Sequence, residues 1–372
     1  MTIDAQTLTR PVVAVVGGGY GGTAVAKALD ETADVVLVEP RDAFVHNVAS
    51  LRALVDPSWL PRIFLPYEGL LERGRVVRDR AALVEPGSVV TASGEEIRAD
   101  YVVLASGSAY PFPAKPEEAD TRAAHDRVRR THRVLAEADR VLLLGAGPVG
   151  IELAGEIHHQ WPGTSITLLD VGDEILSGPF LPELRVELRR QLDGAGVQVV
   201  LGSHLRQAPP TSPGEPGTFT VTTEAGVEVA ADVWFRCYGV SPNSDYLGEA
   251  LSEARRPDGF VEVLPTLQVR GHETVFALGD LSTADAKMAG FAGRQAETVV
   301  ANISALAAGR RDLGHYQSMG PTIAVPIGPE GGAGQFPGHE GIAGPEVVAE
   351  VKGRHLMVDR FATMFGVSAA AH

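Results

Sequence analysis

The chain has 372 residues, enough for two to three domains at about 150 residues each. Its 47 acidic and 32 basic residues leave a formal net charge of −15, which repels phosphate backbones and argues against binding of nucleic acid. Cys237 is the single cysteine, which excludes an intrachain disulfide, a CxxC redox pair and iron–sulfur or zinc sites built from several cysteines. Redox chemistry in this chain therefore needs a bound organic cofactor.

The N-terminal ten residues, MTIDAQTLTR, have neither the basic and apolar regions of a signal peptide nor a glycine at position 2 for myristoylation. No uninterrupted apolar run reaches the ~18 residues that span a bilayer. We therefore expect a cytoplasmic protein, with peripheral contact to a membrane left open. The sequence is compatible with a monomer and with a homodimer.

Residues 11–39 read as a buried strand, a glycine-rich turn, an amphipathic helix and a second strand that ends in Glu39. The turn has the dinucleotide-binding spacing Gly17-x-Gly19-x-x-Gly22. In this motif the first glycine permits a tight turn, the second lets a pyrophosphate approach the backbone, and the third allows close helix–strand packing. Glu39 is placed to accept the ribose hydroxyls, so the segment predicts a dinucleotide site.

Residues 141–170 repeat this plan, with the turn Gly145-x-Gly147-x-x-Gly150 and a strand that ends in Asp170. Two such sites in one chain imply a donor and an acceptor nucleotide. The natural pair is a flavin that stays bound and a nicotinamide that comes and goes. The spacing alone does not decide which copy holds which nucleotide.

The remaining segments alternate between strand and helix patterns. Strands with turns between them are predicted over 75–104 and 197–239, and a further buried strand over 274–280. A long helix is predicted over 287–308, and the run HLMVD at 355–359 is typical of a final strand.

YVVLASGS (101–108) and TVFALGD (274–280) resemble two conserved segments of flavoproteins with two dinucleotide-binding domains. In that superfamily the first glycine-rich unit holds FAD, the second holds NAD(P)H, and the Gly-Asp carboxylate binds the ribityl chain. The residues that the resemblance implies are Gly17, Gly19, Gly22, Glu39, Ala105, Ser106, Gly107, Gly279 and Asp280 for FAD, and Gly145, Gly147, Gly150 and Asp170 for the nicotinamide nucleotide.

FVHNVASLRALVD (44–56), IFLPY (63–67) and the segment 278–303 resemble the ferroptosis-suppressor branch of the apoptosis-inducing-factor family, which is related to type II NADH:quinone dehydrogenases. The resemblance implies a FAD-dependent NAD(P)H oxidoreductase that passes hydride from NADH to FAD and then to a quinone or quinone-like acceptor. The chain departs from the family at Leu281, where the family has a cysteine after Gly-Asp, and its C-terminal segment matches poorly.

The implied fold class is α/β, with two Rossmann-like domains and a small C-terminal extension. The FAD-binding domain comprises 1–111 and 240–315 and is interrupted by the NAD(P)H-binding domain at 112–239, while 316–372 form the extension. The role of the extension stays open.

Glu152 and Lys287 are the candidates for catalysis, and Met288 and Ala289 are expected to bind the cofactor beside Lys287. The resemblance places Glu152, in the first turns of the second nucleotide-binding helix, beside the nicotinamide and the flavin N5 edge. Its alternative role is to compensate the helix dipole. Lys287, Met288 and Ala289 open the helix after Gly-Asp, and that helix N-terminus is expected to point at the flavin N1–C2=O edge, with Lys287 as a second catalytic candidate.

Four further residues have individual expected roles. Asn47 and Arg52 are expected to contact the flavin, since both lie in the family match. For His46 we favour a structural role, and for Cys237 a buried thiol in the core. The histidines show no spacing typical of a metal site.

Asp170 is followed by residues 171–178, which contain neither arginine nor lysine. A carboxylate accepts ribose hydroxyls and repels a 2′-phosphate, so NADH is expected to be preferred over NADPH. Two alternatives to quinone reduction remain: a reductase of a ferredoxin- or rubredoxin-type protein, and a flavin-containing redox sensor. The physiological acceptor and the pathway are not determined by the sequence.

Overall fold

The computed structural model describes residues 10–367, so the predictions made for the N-terminal segment concern residues outside the described range. The strands are β1 (Val12–Val16), β2 (Asp34–Val38), β3 (Ala43–Val45), β4 (Phe64–Pro66), β5 (Arg75–Val77), β6 (Ala81–Glu85), β7 (Ser88–Thr91), β8 (Glu96–Arg98), β9 (Tyr101–Leu104), β10 (Ser108–Ala109), β11 (Arg140–Leu144), β12 (Ser165–Leu169), β13 (Gln198–Val200), β14 (Phe219–Thr222), β15 (Glu228–Ala231), β16 (Val233–Arg236), β17 (Ser241–Pro242), β18 (Val275–Ala277), β19 (Ile323–Val325) and β20 (Ala333–Gln335).

The α-helices are α1 (Tyr20–Leu29), α2 (Ser50–Val55), α3 (Leu60–Ile63), α4 (Thr121–Glu137), α5 (Pro148–Gln160), α6 (Pro182–Gly194), α7 (Glu249–Ser252), α8 (Ala289–Ala307), α9 (Pro345–Val348) and α10 (Val358–Met364). Short 3₁₀ turns cover Asn47–Ala49, Pro57–Trp59, Tyr67–Gly69 and Gly279–Leu281, and a π-helical turn covers Ala349–Gly353.

The described chain separates into two compact units. The first comprises residues 10–44, 66–109 and 241–318, and the second comprises residues 45–65, 110–240 and 319–367. This division differs from the expected domains at two segments. Residues 45–65 were expected in the FAD-binding domain and residues 319–367 in a separate extension, but both belong to the second unit. Which nucleotide each unit binds stays a prediction.

The first unit is built on a parallel sheet with the strand order β18–β9–β1–β2–β5. Val13, Ala14 and Val15 of the central strand are completely buried, which is why this strand is an uninterrupted apolar run. Apolar residues of the antiparallel sheet β6–β7–β8, such as Val84 and Val89, complete the same core. Helices α1 and α8 pack against each other in this unit.

The second unit repeats the parallel plan with the strand order β13–β12–β11–β16. The hairpin β14–β15 packs on apolar residues of this sheet: its Val221 and Val229 share a buried cluster with Leu142 and Leu169. Helix α5 contacts α2, α6 and β19, so the C-terminal hairpin β19–β20 is part of this unit. In both sheets the carboxyl ends of the strands meet at one edge, where ligands bind in open α/β sheets.

The strand predicted over 355–359 is wrong. Residues 354–357 form a turn, and α10 begins at Val358. Leu356 and Met357 have φ angles of +46° and +57°, in the left-handed region that extended strands do not use. A short apolar run does not by itself distinguish a strand from a turn that enters a helix.

The helix predicted over 287–308 begins at Ala289. Lys287 and Met288 lie outside it, because Met288 has the extended conformation of an N-cap residue, with φ −141° and ψ 143°.

A close approach on α5 supplies a test of the packing of the second unit. A Cβ on Gly155 would lie 2.5 Å from the backbone nitrogen of Gly328 and 2.6 Å from the Cα of Ile327. Backbone atoms cannot move aside as a side chain can, so Gly155→Ala is expected to lower the free energy of unfolding by about 1–3 kcal/mol in denaturant titrations.

The matched control is Gly194→Ala, at the exposed end of α6, where a Cβ meets no atom within 4 Å. This change should be neutral or stabilising by up to about 1 kcal/mol. A Gly155→Ala protein as stable as the control would show that α5 and the residues after β19 are not packed this closely.

Candidate functional site

The first glycine-rich loop makes a tight turn between β1 and α1. Gly17 has a φ of +105°, which favours glycine, and its N–H donates to the carbonyl of Val38 at 2.9 Å. A Cβ on Gly22 would overlap the carbonyl oxygen of Gly17, so a side chain there would push α1 away from the strand. The first and third glycines are thus required by the turn and by the packing, as the motif predicts.

The middle glycine lies in open space. A Cβ on Gly19 would meet no atom within 4 Å, and Gly19 is the N-cap of α1 with no side chain capping the helix. The start of α1 is therefore accessible, and the backbone N–H groups of a helix N-terminus favour a phosphate. This open cradle fits a dinucleotide pyrophosphate.

Glu39 ties the loop to the end of β2. Its carboxylate is buried and accepts from the backbone N–H groups of Gly18 at 2.7 Å and Arg41 at 2.9 Å. On the other side of the loop, the Tyr67 hydroxyl donates to the Gly18 carbonyl at 2.8 Å, and burial raises the pKa of Tyr67 well above its usual value. Tyr67 was missed in the sequence because a tyrosine in IFLPY has no local feature that links it to Gly18.

The other predicted FAD residues of the first unit come together at the same sheet edge. Ala105, Ser106 and Gly107 follow β9, and Gly279 and Asp280 follow its neighbour β18. The Ser108 hydroxyl donates to the Asp280 carboxylate at 2.7 Å, and the Ser106 hydroxyl contacts the Asn243 carbonyl and the Tyr246 hydroxyl.

Lys287 is engaged within its own loop. Its ammonium donates to the carbonyls of Ser282 at 2.5 Å and Asp285 at 3.0 Å, and lies 4.5 Å from the centre of the Phe260 ring. Burial is the main cause that lowers the pKa of Lys287. The ammonium thus holds the loop before Ala289, and its catalytic role stays a prediction.

The second glycine-rich loop has the same construction as the first. Gly145 has a φ of +110° and donates to the carbonyl of Leu169 at 2.7 Å, and a Cβ on Gly150 would overlap the carbonyl oxygen of Gly145. A Cβ on Gly147 would meet no atom within 4 Å. This loop therefore also fits a dinucleotide pyrophosphate at the start of α5.

Asp170 stands in the second unit where Glu39 stands in the first. Its carboxylate accepts from the backbone N–H groups of Ala146 at 2.6 Å and Gly172 at 2.8 Å. The nearest arginine along the chain, Arg185, donates to the carbonyls of Phe180 and Gly178 at 2.7 and 2.6 Å. Arg185 also pairs with Glu174 at 3.0 Å, so both of its terminal nitrogens are engaged.

Glu152 projects from α5 and pairs with Lys352, their closest atoms 2.7 Å apart. The side chains are 13% and 17% exposed, and burial raises the pKa of Glu152 against the opposing effect of Lys352. Lys352 also donates to the Ala324 carbonyl at 3.2 Å. Its place beside Glu152 was missed because it lies in the segment expected to form a separate extension.

Asn47 and Arg52, the two predicted flavin contacts, both belong to the second compact unit. Arg52 makes two hydrogen bonds to the Glu156 carboxylate, one of them at 2.8 Å, and a third to the Gly353 carbonyl at 3.0 Å. The buried Oδ1 of Asn47 accepts no hydrogen bond from the residues that the structure describes. Both flavin contacts stay predictions.

His46 and Cys237 are both buried, and a buried thiol is what the sequence predicts for Cys237. The His46 Nε2 lies 2.6 Å from the Leu356 carbonyl, which only accepts, so Nε2 carries the hydrogen. Burial lowers the pKa of His46 to about 4 and raises the pKa of the Cys237 thiol to about 12. Cys237 is therefore a thiol rather than a reactive thiolate at neutral pH.

Within residues 10–367, no helix is both long and apolar enough to cross a membrane. The same residues contain no cluster of three or more His, Cys, Asp or Glu side chains that would hold a metal ion.

Two parallel sheets that each end in an open glycine-rich loop and a carboxylate define a protein with two dinucleotide-binding domains. The family profile described as pyridine nucleotide-disulphide oxidoreductase matches residues 11–304. The chain belongs to this family, which binds FAD and NAD(P)H.

Curated relatives confirm the resemblance to the ferroptosis-suppressor and apoptosis-inducing-factor branch. Ferroptosis suppressor protein 1 of Taeniopygia guttata is 33% identical over 359 residues, covering 94% of both chains. Apoptosis-inducing factor homolog B of Dictyostelium discoideum is 28% identical over 376 residues, covering 96% of this chain and 97% of its own. Among solved structures, the sulfide:quinone oxidoreductase of Aquifex aeolicus shares the fold, with a TM-score of 0.75, 16% identity, and coverage of 97% and 93%.

Proposed function

We propose that this chain is a FAD-dependent NADH oxidoreductase that delivers electrons to a quinone or quinone-like acceptor. The observation that carries the proposal is the duplicated cradle, in which an open middle glycine and a buried carboxylate recur in both units. The quinone is supported by the relation to ferroptosis suppressor protein 1 and by the family resemblance of residues 44–56 and 278–303.

FAD is assigned to the first unit. Gly19 and the start of α1 would hold its pyrophosphate, Glu39 its adenosine ribose and Asp280 its ribityl chain. Bound FAD supplies a group that accepts hydride and passes electrons on. The nicotinamide nucleotide is assigned to the second unit, with its pyrophosphate at Gly147 and its ribose at Asp170.

Glu152 is proposed to act on the nicotinamide ring. It stands on α5, the helix whose N-terminus would hold the nucleotide, and its carboxylate is shielded from water. A carboxylate in this position orients the carboxamide and stabilises the positive ring of NAD⁺ as hydride leaves. Lys352 holds the carboxylate in place and favours its ionised form, against the effect of burial.

The electrons must leave without a thiol relay. Cys237 is the only cysteine in the sequence, and its thiol is buried with a pKa of about 12. With FAD held in the first unit, transfer to a two-electron acceptor such as a quinone would need no thiol of this chain.

The same substitution in the two cradles should remove different functions: FAD binding in the first unit and reduction by NADH in the second. At Gly19 and Gly147 the backbone is extended, with φ near −80°, so valine fits the backbone and changes only the open space. Gly19→Val should therefore fold and lose bound FAD, measured by flavin absorbance per chain. Gly147→Val should keep its FAD and lose reduction by NADH. Loss of FAD from Gly147→Val alone would show that the nucleotides are assigned the wrong way round.

The nucleotide preference follows from Asp170 and from the occupied guanidinium of Arg185. We expect kcat/KM to favour NADH over NADPH by about 1–3 kcal/mol, the scale of charge-assisted contacts, which is roughly five- to 150-fold. Arg185→Gln should leave the ratio unchanged, since Arg185 binds Gly178, Phe180 and Glu174. Equal use of both nucleotides, or a ratio that depends on Arg185, would contradict this assignment.

The acceptor is tested by steady-state oxidation of NADH with a soluble short-chain quinone, with a ferredoxin and with neither. We expect only the quinone to stimulate turnover, and Cys237→Ala to turn over at the wild-type rate. Stimulation by ferredoxin alone would assign the chain as a ferredoxin reductase. Reduction of the flavin by NADH without turnover on either acceptor would favour a redox sensor.

A further inference from the structure

Helix α5 presents two carboxylates that are spaced by one helical turn, Glu152 and Glu156. Each one meets a cation from another part of the second unit: Lys352 binds Glu152, and Arg52 binds Glu156. Burial raises the pKa of Glu152, Lys352 opposes that effect, and repulsion by Glu156 adds a smaller increase.

Arg52 joins these contacts into one network. Its guanidinium binds the Glu156 carboxylate through Nε and Nη2, and Nη2 also donates to the Gly353 carbonyl at 3.0 Å. The Arg52 and Glu156 side chains are 7% and 4% exposed. A planar guanidinium bound at two atoms fixes direction as well as distance, which a lysine ammonium does not.

Gly353 directly follows Lys352, so Arg52 holds the backbone next to the lysine. Lys352 and Gly353 end a π-helical turn, and the Leu356 N–H donates to the Lys352 carbonyl at 2.8 Å. His46, from the same segment as Arg52, binds the Leu356 carbonyl. Segment 45–65 thus binds the backbone carbonyls of Gly353 and Leu356, which both follow Lys352 closely in the chain.

The turn at residues 353–357 has a backbone conformation that its own sequence does not favour. Leu356 and Met357 are both in the left-handed region, which is uncommon for residues other than glycine. A Cβ on Gly353 would lie 2.5 Å from the Pro329 carbonyl oxygen, so the turn is also pressed against the residues after β19. Such conformations persist where the surrounding contacts hold them, and π-helical turns are frequent at functional sites.

We propose that Arg52 and Glu156 are positioning residues that hold the C-terminal turn so that the Lys352 ammonium stays on the Glu152 carboxylate. The inference rests on the proposed function, in which Glu152 acts on the nicotinamide. It gives the C-terminal segment of the second unit a role in hydride transfer, and it gives Arg52 a role through Lys352 instead of a direct contact with flavin.

A purely structural role is the competing explanation. A buried ion pair is weak evidence for stability, because apolar residues often replace it without loss, and its best-attested use is to define one arrangement. The test must therefore measure the position of Lys352 and not only whether the protein folds.

The main variant is Arg52→Gln with Glu156→Gln, which removes both charges together and leaves no unpaired buried ion. Arg52→Lys keeps the charge and loses the planar fork. Arg354→Gln is the matched control: it lies one residue after Gly353 and breaks only the exposed pair with Glu330.

The first readout is competitive acetylation of the holoenzyme, followed residue by residue by mass spectrometry. The chain has four lysines, so Lys27, Lys115 and Lys287 serve as internal references for Lys352. We expect labelling of Lys352 to rise at least fivefold over the references in the double variant, to rise less in Arg52→Lys, and to stay unchanged in Arg354→Gln. This readout needs no NADH, so it decides the positioning role even if the proposed function fails.

The second readout is the rate of flavin reduction by NADH in stopped flow, with FAD content measured beside it. The double variant should keep its FAD, and NADH should reduce that FAD at least fivefold more slowly than in the wild type. When the double variant is combined with Lys352→Met, the rate should be no lower than with Lys352→Met alone. Unchanged labelling of Lys352, lost FAD, or additional slowing in that background would each overturn the proposal. A wild-type protein that NADH does not reduce would overturn the proposed function instead.

Discussion

The structure depends on a steric constraint at the start of two helices. In each nucleotide loop the third glycine, Gly22 or Gly150, faces the carbonyl of the first so closely that a Cβ has no room. The helix therefore starts directly against the end of the central strand, with its N–H groups at the open edge of the sheet. The open cradles at Gly19 and Gly147 follow from that contact.

A carboxylate stands beside each of these loops. Glu39 and Asp170 directly follow the strands next to the two loops, and each accepts a hydrogen bond from a backbone N–H of its loop. A carboxylate that bonds the loop in this way has a defined position from which its remaining lone pairs can accept ribose hydroxyls. The loop, the helix and the acid thus form one unit of recognition that occurs twice.

Helix α5 carries two ion pairs in addition to its glycine-rich loop. It begins at the nucleotide cradle and carries Glu152 and Glu156, which hold Lys352 and Arg52 from segments far away in the chain. Helix α5 therefore connects the second glycine-rich loop with the C-terminal segment. This connection explains how residues 319–367 come to be part of the second compact unit.

The sequence by itself determined the two loops, their acids and the parallel strands, because these depend on spacing along a short stretch of chain and on runs of buried apolar residues. It did not predict the contact of Tyr67 with Gly18, and it misjudged the turn around Leu356. Glu152 and Lys352 are 200 residues apart, and Arg52 and Glu156 are 104 apart. Only the tertiary structure decided those pairs, because a single lysine or arginine has no local pattern that identifies its partner, and packing alone brings the two charges together.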